Sequence, residues 1–127
     1  MIERLDHLVL TVVDIPRSVA FYQRVLGMRH EVFGQGRSAL VFGQQKLNLH
    51  QVGREFEPKA AKPTPGAIDL CLITRWSMQA LLTHVLEQAV VVEEGPVMRT
   101  GALGAIESLY FRDPDGNLIE VSRYPEA

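Results

Sequence analysis

The sequence predicts an α+β protein built from two tandem βαβββ modules, and three observations carry that prediction. The order strand, helix, strand, strand, strand is legible in the first half and again in the second. Between the halves lies Phe56–Gly66, with three prolines and two lysines, which reads as a linker. Each half, at about 60 residues, is too small to bury enough surface alone, so the modules are expected to share one domain. The predicted organisation is a single domain over residues 1–127: module 1 over about 1–55, the linker over about 56–66, module 2 over about 67–127.

In the first half, His7-Leu-Val-Leu-Thr-Val12 is apolar and β-branched, as a strand requires. Asp14 is placed to N-cap a helix, with Pro16 in the first turn, where its missing N–H costs nothing. Val19, Tyr22, Val25 and Leu26 recur at helical spacing on one face, and Gly27 ends the helix. Strands follow over Met28–Phe33, Arg37–Phe42 and Gln45–Gln51, separated by the turn sequences Gly34-Gln-Gly36 and Gly43-Gln44.

The second half repeats the order. Ala67–Thr74 reads as a strand, and Ser77 as the cap of a helix over Met78–Gln88 with Leu81, Leu82, Val85 and Gln88 as candidate inward residues. A strand is expected at Val90–Glu94, then a glycine-spaced loop over Arg99–Gly104. Ile106–Arg112 and Asn117–Arg123 form a hairpin closed by Asp113-Pro-Asp-Gly116, a strong turn signal to which no chemistry is assigned.

The totals narrow the partners. A formal charge of −2 argues against a nucleic-acid or anionic-membrane surface. No apolar run approaches the roughly 18 to 20 residues that cross a bilayer, and the start, Met1-Ile-Glu-Arg-Leu-Asp, has no signal-peptide pattern. Cys71 is the only cysteine and cannot pair within the chain, so a reducing cytoplasmic compartment is the economical expectation.

Aligning the halves brings out four residues of metal-ligand type. His7 opens its strand as His-Leu-Val-Leu, and Asp69 opens its counterpart as Asp-Leu-Cys-Leu. Leu47-Asn-Leu-His50 likewise matches Asn117-Leu-Ile-Glu120. Strand parity sets each on the face opposite Leu8, Leu10 and Val12, Leu47 and Leu49, or Leu70 and Leu72. A carboxylate such as Asp69 among apolar strand residues is costly unless compensated. Two imidazoles and two carboxylates suit one divalent ion, Zn, Ni, Co, Mn or Fe, with positions left open for water or substrate.

Several stretches resemble the vicinal-oxygen-chelate superfamily of glyoxalase I, fosfomycin- and bleomycin-resistance proteins and extradiol dioxygenases. They are Leu5-Asp-His-Leu-Val-Leu-Thr-Val12 with Asp14-Ile-Pro-Arg-Ser, Phe21-Tyr22 before Val25-Leu-Gly27, and Lys46-Leu-Asn-Leu-His50. Glu55-Phe-Glu-Pro-Lys59, Gly95-Pro-Val and Tyr110-Phe-Arg-Asp-Pro-Asp-Gly-Asn-Leu-Ile-Glu120 complete them. More closely, the chain is similar to the glyoxalase-domain-containing protein 5 group. The resemblance implies an open, barrel-like cleft of paired βαβββ modules (the glyoxalase/bleomycin resistance/dihydroxybiphenyl dioxygenase fold), usually completed in a homodimer. It also implies metal ligands at His7, His50, Asp69 and Glu120, a permuted set beside that of glyoxalase I enzymes.

Three functions are then expected in order. The first is a metal-dependent glyoxalase-like lyase acting on a small substrate held through adjacent oxygens, with Glu120 as base and Asp69 second. An extradiol-type ring-cleaving dioxygenase using His7, His50 and Glu120 comes next. A non-catalytic small-molecule-binding or resistance protein comes third. Arg99, Arg37 and Lys46 are candidates for an anionic substrate group, and Tyr110 and Glu107 for the cleft face. The segment Glu55-Phe-Glu-Pro-Lys-Ala resembles a lid or clasp, Trp76 is expected to pack, and His30 and His84 read as surface residues.

Overall fold

The computed structural model describes residues 1–125. The chain divides into two compact units, residues 1–67 and 68–127. Each is a βαβββ module.

In the first unit β1 (His7–Val12) leads into α1 (Ile15–Leu26), followed by β2 (Arg29–Phe33), β3 (Arg37–Phe42) and β4 (Gln45–Gln51). The Asp14 side chain accepts from the Arg17 N–H at 3.1 Å, capping α1 as its position predicts. Gly27 closes the helix in the left-handed region (φ 64°), a conformation that costs other residues a Cβ clash. The sheet runs β1-β4-β3-β2, with β1 parallel to β4 and the other pairs antiparallel. Helix α1 lies against β2, β3 and β4. On that side Leu10, Val12, Leu40, Leu47 and Leu49 meet Val19, Tyr22 and Val25 as a buried core. Leu26 is only half-buried and Ser18 takes a buried place instead.

The second unit repeats the topology with β5 (Asp69–Ile73), α2 (Met78–Glu87), β6 (Glu94–Gly101), β7 (Gly104–Arg112) and β8 (Leu118–Arg123), in sheet order β5-β8-β7-β6. Ser77 Oγ accepts from the Ala80 N–H at 3.1 Å. Met78, Leu81 and Val85 of the helix and Leu109, Phe111, Ile119 and Val121 of the sheet are buried.

One element departs from expectation. The strand foreseen at Val90–Glu94 begins only at Glu94, and the glycine-spaced loop over Arg99–Gly104 is mostly strand. Arg99 pairs with Ile106, Thr100 with Ala105 and Gly101 with Gly104, leaving Ala102-Leu103 as a two-residue hairpin turn. The glycines flank a tight turn and do not space a loop. At the other end of β6 the register shifts between Glu94 and Val97. There Gly95 (φ 110°) passes so close to the Ser108 carbonyl that no Cβ fits.

Among the described residues no helix is long and apolar enough to cross a membrane.

Candidate functional site

Period-2 alternation gives each sheet one face packed on its helix and one face free for other work. In the first unit the strand registers sort the free face into transverse rows. Thr11 of β1 pairs with His50 of β4. Arg37 of β3 stands on the far side of His50, its Nη2 3.5 Å from His50 Nε2, and Phe33 of β2 pairs with Arg37. The next row is Val9, Asn48, Ala39 and Glu31, and beyond it come His7, Lys46, Val41 and Arg29.

The first row is the most elaborated. The Arg37 guanidinium carbon lies 5.2 Å from the centre of the Phe33 ring and 4.8 Å from that of Phe56. The His50 and Phe56 rings are tilted against each other with centroids 5.8 Å apart. Lys46 Nζ sits 3.9 Å from the Phe33 centroid. His50 is only 3 % exposed. Burial, and then the Arg37 charge, lower its pKa below the ordinary 6.5, so the neutral ring accepts from Arg37 near pH 7. The proline-rich stretch after β4 does more than link the modules. Pro58, Lys59, Ala60 and Pro63 close a cavity of about 240 Å³ with Val9, Thr11 and His50. Lys59 is steadied by Glu55 at 3.9 Å and Glu57 at 3.3 Å. The Glu55 carboxylate in turn accepts from the Gly53 N–H at 3.0 Å.

In the second unit the free face carries Asp69, Cys71 and Ile73 beside Leu118, Glu120 and Ser122, with Ser108 and Tyr110 next across. Glu120 Oε2 accepts from Ser108 Oγ at 2.7 Å and from Ser122 Oγ at 3.3 Å, and the two serine hydroxyls lie 2.6 Å apart. Cys71 Sγ is 3.3 Å from Ser122 Oγ. Burial pushes the Cys71 thiol pKa up, Ser122 pulls it back, and the Glu120 and Asp69 carboxylates raise it again. Arg99 donates to the Tyr110 hydroxyl at 3.1 Å and to Glu94 at 2.8 Å. Glu107 pairs with Met98 and Arg123 and so lies on the opposite face from Tyr110, because an odd offset along a strand reverses the side.

The metal site expected at His7, His50, Asp69 and Glu120 finds no support within either unit. Among the described residues no three His, Cys, Asp or Glu side chains are grouped so as to hold a metal ion. The registers supply the physical reason. His7 pairs with Lys46 while His50 pairs with Thr11, an offset of four residues (11 − 7), or roughly 13 Å of strand. Asp69 pairs with Leu118 while Glu120 pairs with Cys71, an offset of two (71 − 69), or roughly 7 Å. With His7 matched to Asp69, the residue of β4 equivalent to Glu120 is Asn48, and Ser122 is the equivalent of His50. The sequence alignment of the two halves was therefore two residues out at its last strand, and the symmetry of the supposed quartet dissolves.

Each candidate also has other company. His7 is exposed, its Nδ1 2.8 Å from Asp6 Oδ2. His50 faces the Arg37 cation, a poor neighbour for a metal. Asp69 is exposed, so the cost of burying a carboxylate never arises. Among the described residues no grouping supports the divalent cofactor on which the expected metal-dependent lyase and dioxygenase rested.

Sequence reasoning marked Arg37 and Lys46 but passed over Phe33, Phe56, Lys59 and Thr11. Only the alternation of β1 and the lid-like look of Glu55–Ala60 hinted at them. Trp76 meets His84 edge-on at 5.5 Å but is half exposed, so it packs less than expected. His30 is half-buried and bonds Ser38 at 3.1 Å.

Comparison with known proteins agrees with this architecture. The chain is 55 % identical over 124 residues to the virulence protein STM3117 of Salmonella typhimurium, covering 98 % of this chain and 86 % of that protein. It is 54 % identical over 126 residues to the glyoxalase domain-containing protein RDO1 of Mycosarcoma maydis, covering 99 % and 71 % of the two chains. An integron cassette protein from the mobile metagenome of V. cholerae, of known structure, superposes with a TM-score of 0.97 at 60 % identity, covering 98 % of both chains. The family profile of the Glyoxalase/Bleomycin resistance protein/Dioxygenase superfamily matches residues 4–121, and the chain belongs to that superfamily.

Proposed function

We propose that this chain is a small-molecule-binding protein of its superfamily, and that its ligand sits on the free face of the first unit. The observation that carries this reading is the cavity of about 240 Å³ among Val9, Thr11, His50, Pro58, Lys59, Ala60 and Pro63. It lies a little below the range of about 300–1,000 Å³ that drug-sized ligands occupy, which suits a metabolite-sized guest. Its lining mixes apolar walls with a hydroxyl, an imidazole and an ammonium, the usual division between affinity and orientation. On the second unit the polar groups answer one another, Glu120 with Ser108 and Ser122, Arg99 with Glu94 and Tyr110. That leaves them less to offer a guest.

Within the superfamily we assign the chain to the glyoxalase-domain-containing protein 5 group, on the motifs Lys46-Leu-Asn-Leu-His50 and Glu55-Phe-Glu-Pro-Lys59. The same resemblance supports a homodimer as the working form, and the lone Cys71 supports a cytoplasmic setting. A fragment screen by two-dimensional NMR on the full chain tests the binding reading. Hits are expected to shift the amides of Thr11, His50 and Lys59 together. A broad screen that moves none of them would sink it.

A further inference from the structure

Resting on that reading, we infer that the ligand of the first-unit cavity is a neutral carbonyl compound, its oxygen held by the His50 Nδ1–H and the Thr11 hydroxyl, and that Arg37 is the positioning residue that keeps the His50 proton on Nδ1.

Arginine donates hydrogen bonds and cannot accept them. The Arg37 Nη2 that stands 3.5 Å from His50 Nε2 therefore requires a lone pair there, and in the neutral ring the proton lies on Nδ1. Burial and the Arg37 charge keep that ring neutral near pH 7. Arg37 is itself held in place by the Phe33 and Phe56 rings, at 5.2 and 4.8 Å from their centres. It is not part of the cavity wall and acts on a guest only through His50, which is. The Nδ1–H has no hydrogen-bond partner among the described residues, yet it is not one of the buried polar atoms sealed without one. It thus opens onto accessible space, and the space His50 borders is the cavity.

Thr11 stands beside His50 in the strand register and lines the same cavity, and no side-chain hydrogen bond engages its hydroxyl among the described residues. The third polar group of the lining, the Lys59 ammonium, can only donate, and Glu55 and Glu57 already share it. Two groups that only donate and one that can do either make an acceptor the complementary head group. A carbonyl oxygen has two lone pairs, one for the Nδ1–H and one for the Thr11 hydroxyl. Charge separates a neutral acceptor from an anion. The Arg37 and Lys59 cations that act on His50 are set against Glu55, and Glu57 adds a second carboxylate beside Lys59, so positive charge is not in excess at this wall. Burying a carboxylate without a surplus cation is costly, whereas a carbonyl brings no charge to desolvate. Val9, Pro58, Ala60 and Pro63 give the apolar wall for the rest of the molecule.

Two NMR measurements on the full chain test this. The imidazole nitrogens of His50, assigned against His50→Gln, should show the Nδ1–H form at pH 7.5, and Arg37→Met should move the proton largely to Nε2. Titration with acetophenone and N,N-dimethylbenzamide, both neutral acceptors, should shift the amides of Thr11, His50 and Lys59. These two should bind about tenfold more tightly than N,N-dimethylbenzylammonium, which carries a donor head, and no more weakly than benzoate. An Nε2–H ring in the unaltered chain, or a proton that stays on Nδ1 in Arg37→Met, would overturn the role of Arg37. Binding of the ammonium as tight as theirs, or a preference for benzoate, would overturn the carbonyl assignment and leave the small-molecule reading standing. Silence at these residues with every probe would overturn both. The proton position and the probe ranking are measured on the unaltered chain, so they decide the matter even if Arg37→Met folds poorly.

Discussion

Asn117→Ala is predicted to destabilise the second unit by about 3 kcal/mol. Asn117 is fully buried where the 113–116 turn enters β8. Its side-chain oxygen accepts from the Ile68 N–H at 2.9 Å, tying β8 to the chain just before β5. Its side-chain N–H donates to Asp113 Oδ2 at 2.8 Å, and Asp113 is itself only 5 % exposed. Alanine deletes both partners at once. A neutral bond is worth about 1 kcal/mol and one to a charged group about 1.5–3 kcal/mol, so about 3 kcal/mol is the central expectation. For a chain of this size that lowers Tm by roughly 10 °C. Urea unfolding followed by the fluorescence of Trp76, the one tryptophan, reads the second unit directly. Asn117→Asp sharpens the test, because it keeps the acceptor but sets a second carboxylate against Asp113, and it should cost more than alanine. A loss under about 1 kcal/mol for alanine, or an aspartate variant milder than alanine, would refute the reasoning.

Other predictions follow from single features. His50 has its pKa lowered on folding, so the unfolded chain binds the proton more readily; stability is full above the ordinary value of 6.5 and falls as pH drops below it toward the folded pKa. Denaturation midpoints measured from pH 7.5 to 5 should show this slope, and His50→Gln should flatten it; an unchanged slope would assign the effect elsewhere. Cys71 is exposed, yet its thiol pKa is raised by desolvation and by the Glu120 and Asp69 carboxylates, so it should alkylate slowly at pH 7.5, and Glu120→Gln should speed iodoacetamide labelling by removing a nearby negative charge; a slower variant would contradict that. Gly95→Ala should cost more than about 2 kcal/mol, since the new Cβ would strike the Ser108 carbonyl in a backbone region alanine avoids; a near-neutral result in urea melts would mean the bulge relaxes freely. Ser108→Ala, which strips a donor from Glu120 and a partner from Ser122, should lower stability by about 1–2 kcal/mol, with calorimetry as the check.

Elements with local chemistry were legible in the sequence. Asp14, Pro16 and Gly27 bracket α1 through interactions within a few residues, and the alternation of β1 and β4 separates core leucines from the free face. Strand β6 departs from the sequence reading because Arg99–Gly104, spaced by Gly101 and Gly104, looks like a loop until pairing with β7 turns it into a tight turn. The site failed at the same level. Residue types and faces can be read from one strand, but which residue of β4 stands beside which residue of β1 depends on interstrand register, and no local signal carries it. That register separates His7 from His50, and the pairing of β3 with β4 sets Arg37 beside His50 instead. Phe56 and Lys59 were hidden for a related reason: a proline-rich stretch signals irregular backbone and says nothing about the surface it will roof.

In each unit the first strand is hydrogen-bonded to the last, in parallel, with every other element of the module threaded between them. During synthesis this makes β1 a strand in waiting. Helix α1 and the β2–β3–β4 meander can assemble from neighbouring segments, but the N-terminal strand has no partner until Gln45–Gln51 has left the ribosome. A chain cut short before β4 would thus lose its beginning as well as its end, and the cavity that β1 and β4 line together would be among the last features of the first unit to form.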